Sequence, residues 1–214
     1  MLLISGDGGS GSSYLVWLLR ELGKSICPKG YEQYFQDLPT GEPVLYELLR
    51  EQRIRDAMAI EDKIEWPDVI KHLGGFCYDL HTWVDRFNWK VDKVFIVTRC
   101  LEEGIRRRWL KDPVGHPIDH KFLQLPYGDF VRMKPNEVND RARKVIRERI
   151  GAAVFQCIDR DYPYAILPFP KFVRHPEFLY KELAPVIDKS YEEFLSVYNR
   201  ITDLKKVITY ETNS

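Results

Sequence analysis

Residues 2 to 13 read Leu-Leu-Ile-Ser-Gly-Asp-Gly-Gly-Ser-Gly-Ser-Ser, a short apolar run that breaks into a loop carrying Gly6, Gly8, Gly9 and Gly11. An amphipathic stretch, Tyr14-Leu-Val-Trp-Leu-Leu-Arg-Glu-Leu, follows at once. Strand, glycine loop, helix leaves few folds open. It is how an α/β protein aims backbone N–H groups and a helix N-terminus at an anion. Glycine is needed there because the backbone must reach dihedrals that a Cβ forbids and come close to the bound group. The expectation is a phosphate-binding loop with Gly8, Gly9, Ser10, Gly11, Ser12 and Ser13 around the anion.

Two motif readings overlap on these residues. Gly6 and Gly11 have the spacing of G-x-x-x-x-G-K-[ST], with Ser12 at the lysine position and Ser13 after it. Gly6, Gly8 and Gly11 also satisfy the dinucleotide pattern G-x-G-x-x-G, which needs a second strand ending in an acidic residue about 20 positions on. The corresponding stretch, Cys27-Pro-Lys-Gly-Tyr-Glu-Gln-Tyr-Phe-Gln-Asp, is polar and broken by proline, so the dinucleotide reading is disfavoured. A plain turn stays open as a third reading, although it needs fewer glycines than this.

Composition sets the outer limits. The 214 residues are read as one domain, 1–214. Thirty-two basic and thirty-two acidic side chains cancel, so no bulk field draws the chain to nucleic acid or to an anionic membrane. The hydrophobic content of 44% and aromatic content of 13% suit a packed globule. Cys27, Cys77, Cys100 and Cys157 form no C-x-x-C pair and read as reduced, mostly buried thiols. With no membrane-length apolar run and no basic leader, the expectation is a soluble cytoplasmic protein.

Along the chain, Leu15, Leu18, Leu19 and Leu22 define a first helix from Ser12 or Ser13, either of which is a candidate cap, to about Gly23. Residues 42–59 read as a second helix, and residues 67–73 as a short one opened by Pro67. Phe76-Cys-Tyr-Asp-Leu-His81 reads as a strand, and Val91–Thr98 as a central parallel strand ending at Arg99. Leu101 opens the next helix. Residues 112–135, rich in proline, read as a lid or acceptor loop. Asn136–Asp159 is the strongest amphipathic pattern, with Val138, Ala142, Val145, Ile146, Ile150 and Val154 in one stripe. Tyr164–Leu167 reads as a strand, and helices follow from Pro176 to about Ile187 and from Tyr191 to Ile201. The alternation predicts an α/β fold of three layers, with a mostly parallel central sheet flanked by helices.

Ligands in such sheets sit beyond the carboxyl ends of the strands, which gathers the glycine loop, His81 and Arg99 in one place. Together these features resemble the sulfotransferase family, P-loop proteins that transfer a sulfuryl group from 3′-phosphoadenosine 5′-phosphosulfate (PAPS). Gly9-Ser-Gly-Ser-Ser-Tyr-Leu15 resembles the family's 5′-phosphosulfate loop, and Lys93-Val-Phe-Ile-Val-Thr-Arg99 its strand ending in the arginine that holds the 3′-phosphate. Tyr78-Asp-Leu-His81 is similar to the strand that ends in the catalytic histidine, and Phe172-Val-Arg-His-Pro-Glu-Phe-Leu-Tyr to a segment preceding a late helix. The resemblance implies PAPS as donor, no metal, a small-molecule or glycan hydroxyl as acceptor, and His81 as base. It makes Arg99 and Arg107 the 3′-phosphate ligands, Arg107 standing where the family carries a serine. The loop's usual basic residue is Gly9 here, so a cation must come from elsewhere, with Lys111, Lys121, Arg132 and the arginines of 136–159 as candidates. The alternatives are a non-catalytic nucleotide-binding or interaction protein of the same fold and a P-loop small-molecule kinase, which would use a loop lysine and an acidic magnesium ligand. A metal enzyme built on His116, Asp119 and His120 is disfavoured by Pro117.

Overall fold

The computed structural model describes residues 1–6, 10–26, 65–71, 75–110 and 132–202, with isolated positions 123, 126 and 129. Side chains of 75 and 106–110 fall outside that description, as do the helix expected at 42–59, most of the loop expected at 112–135, Cys27, and His116, Asp119 and His120. Four strands form one wholly parallel sheet in the order β2-β1-β3-β4: β1 Leu2–Gly6, β2 Val69–Lys71, β3 Lys93–Arg99 and β4 Tyr164–Phe169. The helices are α1 Ser12–Glu21, α2 Gly75–Phe87, α3 Leu101–Leu110, α4 Pro135–Asp159, α5 Lys171–Arg174, α6 Pro176–Leu183 and α7 Tyr191–Ile201.

Strand alternation sorts the core onto two faces. Leu2, Ile4, Phe95, Val97, Ala165 and Leu167 pack with α1, α6 and α7. Leu3, Val94 and Ile96 pack on the other side with Phe76, Cys77, Leu80 and Val84 of α2 and Ala153 and Cys157 of α4. The result is helix, sheet, helix. The first half of α4 has a separate apolar cluster, where Val138, Ala142 and Ile146 meet Ile105 of α3 and Leu123. Among the described residues no helix is long and apolar enough to cross a membrane.

Three expectations are corrected. Residues 69–71 are a strand, not part of a helix, because Val69 and Ile70 are β-branched and slot beside Leu2 and Leu3 of β1. Residues 76–81 are helical, not extended: Phe76, Leu80, Val84 and Phe87 recur at helical spacing, and the first three are buried on one face. Neither Ser12 nor Ser13 caps α1. Gly11 is the N-cap, in the left-handed region at φ 83°, with no side-chain cap hydrogen bond among the described residues.

The long α4 carries Gly151 in its interior, and an added Cβ there meets nothing within 4 Å. Gly151→Ala is therefore expected to stabilise by about 0.5–1 kcal/mol, a melting-temperature gain of roughly 1–4 °C in calorimetry.

Candidate functional site

The chain leaves β1 for β2 on one side and reaches β3 on the other, so the carboxyl end of β1 is the point where the strand order reverses. A crevice opens at such a point in parallel sheets. Gly6, Lys71, Arg99 and Phe169 end the four strands along this edge of the sheet.

Lys71 is the residue that sequence reasoning missed. It stands level with Ile4 on β1, is 4% exposed, and its Nζ donates to Ser13 Oγ at 3.2 Å in the first turn of α1. Strand spacing of about 4.8 Å places β2 and β3 roughly 10 Å apart across β1, and the register sets Arg99 four positions along β3 beyond Phe95, the residue level with Lys71. Reading 67–73 as a helix concealed this lysine. The signal was Val69-Ile70 followed by a basic residue just before Gly74-Gly75.

Arg99 reaches the glycine loop through an aromatic plate. Its guanidinium carbon lies 4.1 Å from the ring centroid of Phe169, and Nη1 donates to Glu103 Oε1 at 3.1 Å. The same Phe169 ring abuts the start of α1: a Cβ on Gly11 would lie 2.6 Å from Phe169 Cδ2 and 2.9 Å from Phe172 Cζ. Gly11 thus answers both to its backbone angle and to close packing. Ser10 and Ser12 are buried and Ser13 is half-buried. Tyr14 follows them, its hydroxyl 2.7 Å from Thr202 Oγ1 at the end of α7. Burial pushes the Tyr14 phenol well above its ordinary titration range despite that bond, so it is a neutral hydroxyl.

The structure does not bring His81 to this edge. It lies in α2 six residues after Gly75 and past a kink at Asp79, and its Nδ1 sits 3.1 Å from Gln156 Oε1 of α4. Gln156 Nε2 donates to Cys77 O at 2.7 Å, so these groups tie α2 to α4. Arg107 is in the second turn of α3, its side chain beyond the described residues, as are Gly8, Gly9, Lys111 and Lys121 altogether. Arg132 is exposed. Arg141 Nε donates to Leu123 O, and Arg143 pairs with Glu102 and Asp140, so both hold α4 to its neighbours.

Cys77, Cys100 and Cys157 are free thiols, two buried and one exposed. No family model matches this chain, and neither a curated protein nor a solved structure does. The site therefore speaks through its chemistry. Two buried cations, on β2 and β3, flank the strand that feeds the glycine loop, and a helix begins between them. A desolvated Lys71 beside a helix N-terminus favours an anion, and Arg99 already carries the Glu103 carboxylate.

Proposed function

We propose that the chain is a P-loop-type nucleotide-binding protein that transfers a sulfuryl group from PAPS to a hydroxyl acceptor. The observation that carries the reading is the Lys71 ammonium, buried and 3.2 Å from Ser13 Oγ at the mouth of α1. It supplies at the loop the positive charge that Gly9 does not. In this reading the phosphosulfate end of the donor meets Lys71, the loop amides and the helix N-terminus, and the 3′-phosphate meets Arg99.

The chemistry follows from those positions. The acceptor oxygen forms a bond to sulfur as the bond from sulfur to the phosphate oxygen breaks, and negative charge grows on the departing 3′,5′-ADP. A fixed ammonium and fixed N–H groups stabilise that charge as it forms. The acceptor proton goes to a histidine. His81 is the base that the resemblance implies, but it lies in α2 against Gln156 and away from the strand ends; His72, whose placement lies outside the described residues, follows Lys71 directly in the chain.

Calorimetric titration with 3′,5′-ADP tests the reading, with Mg-ATP as control. Micromolar binding that falls at least tenfold in Arg99→Ala and is not matched by Mg-ATP is the expected result. A preference for Mg-ATP would make the protein kinase-like, and binding of neither would leave an interaction protein. Once an acceptor is found, turnover lost in His72→Ala or in His81→Ala, with 3′,5′-ADP binding intact, assigns the base.

A further inference from the structure

We infer that Glu103 is an internal stand-in for the ligand's phosphate, and that its carboxylate sets the site's selectivity for a 3′-phosphorylated nucleotide. The inference rests on the nucleotide reading above and adds to it a residue that opposes ligand binding.

Arg99 and Glu103 sit four residues apart across the junction of β3 and α3, so the first turn of α3 fixes the carboxylate beside the guanidinium. The ion pair is enclosed: the side chains are 1% and 14% exposed, with Nη1 and Oε1 3.1 Å apart. Phe169 backs the guanidinium at 4.1 Å. The first turn of a helix also favours a carboxylate, which holds Glu103 where it is. A phosphate grips a guanidinium best through two parallel N–H donors in the plane of the fork. Here one donor already serves a carboxylate, and Phe169 backs the plane, so an incoming phosphate comes to rest beside a like charge. Two anions within about 5 Å repel strongly where water is excluded. The carboxylate must therefore swing aside before Arg99 serves the ligand.

Glu103 keeps the arginine neutralised in the empty site and lowers its preference for a 3′-phosphate. If Glu103 instead only braced Arg99 in a productive pose, its loss would weaken the 3′-phosphate contact. The two roles predict opposite signs.

The experiment compares 3′,5′-ADP with 5′-AMP, which lacks the 3′-phosphate, on the full chain as wild type, Glu103→Gln and Glu103→Gln with Arg99→Ala. Glutamine keeps the shape and an acceptor oxygen and removes the charge. Glu103→Asp, which draws the carboxylate back by one methylene, is the second variant, with unliganded melting curves recorded for all. The expected result is that the affinity ratio of 3′,5′-ADP over 5′-AMP rises on the order of tenfold in Glu103→Gln, and less in Glu103→Asp. The gain should vanish when Arg99 is also removed. An unchanged or smaller ratio, with 3′,5′-ADP still bound, overturns the role of Glu103 and leaves the nucleotide reading standing. If neither nucleotide binds wild type or variants, the nucleotide reading falls and this inference falls with it.

Discussion

Gly6→Ala is expected to lower the melting temperature by about 10 °C or more, the largest stability loss from any single added methyl group in the sheet. Gly6 ends β1 at φ 125°, a region almost closed to residues with a side chain. It pairs in register with Val97 of the central strand β3. A Cβ would overlap the Val97 carbonyl oxygen and lie 2.9 Å from both Val97 N and C, all of them backbone atoms that cannot turn away. Relief requires parting β1 from β3, the pairing on which both faces of the core are built. Backbone strain of about 1–3 kcal/mol adds to that steric cost. A total above roughly 4 kcal/mol is a large part of the stability of an ordinary domain. Gly23→Ala separates the two causes, because Gly23 also has positive φ, at 93°, and an added Cβ there meets nothing within 4 Å. It should cost only about 1 kcal/mol. Similar losses at the two glycines in thermal melts would mean that the dihedral alone matters and the approach to Val97 does not.

What was legible in the chain was whatever repeated over enough residues to reveal its period. The run Val94-Phe-Ile-Val stands out because both faces of β3 are covered, so no polar residue interrupts it. The stripe of α4 and the bounds of α7 were equally plain. Tyr191 to Ile201 is preceded by Ser190, whose Oγ accepts from Glu193 N while Glu193 accepts from Ser190 N. The failure lay where an element is shorter than its own period. β2 has three residues, and its turn chemistry, Pro67 before and Gly74-Gly75 after, fits a helix opening as well as a strand. Six residues of α2, Phe76 to His81, include apolar and polar side chains in an order that imitates alternation. Only the continuation through Val84 and Phe87 shows the period of 3.6. That exchange of strand and helix moved the expected site. It put His81 at a strand end and hid Lys71 inside a helix. The glycine loop and Arg99 were legible because each is adjacent in sequence to a strand of unmistakable pattern. The contact between Arg99 and Phe169 was not, since it joins the ends of two strands with all of α3 and α4 between them.

Lys71→Met should separate binding from stability. The substitution keeps most of the aliphatic stem that fills the space between β2 and α1, and it removes a charge that is 4% exposed. The unliganded protein loses the hydrogen bond to Ser13 Oγ and the ammonium's other contacts, and in exchange no longer holds a desolvated charge. These terms oppose each other, so its melting temperature should shift by no more than a few degrees. Affinity for 3′,5′-ADP should fall at least 100-fold, about 2.7 kcal/mol, because a charge-assisted contact to phosphate is lost where little water can replace it. Ser13→Ala, which leaves the ammonium in place, should lose far less. Lys71→Arg should not restore binding, since a planar guanidinium is wider than an ammonium and Ser13 Oγ already lies within 3.2 Å of Nζ. The opposite pattern, a large drop in melting temperature with nucleotide affinity unchanged, would make Lys71 a strut between β2 and α1. The positive charge at the loop would then have to come from the arginine side of the crevice. A large affinity loss beside a small melting shift is what a binding lysine requires, and Lys71→Met reads both quantities in one variant.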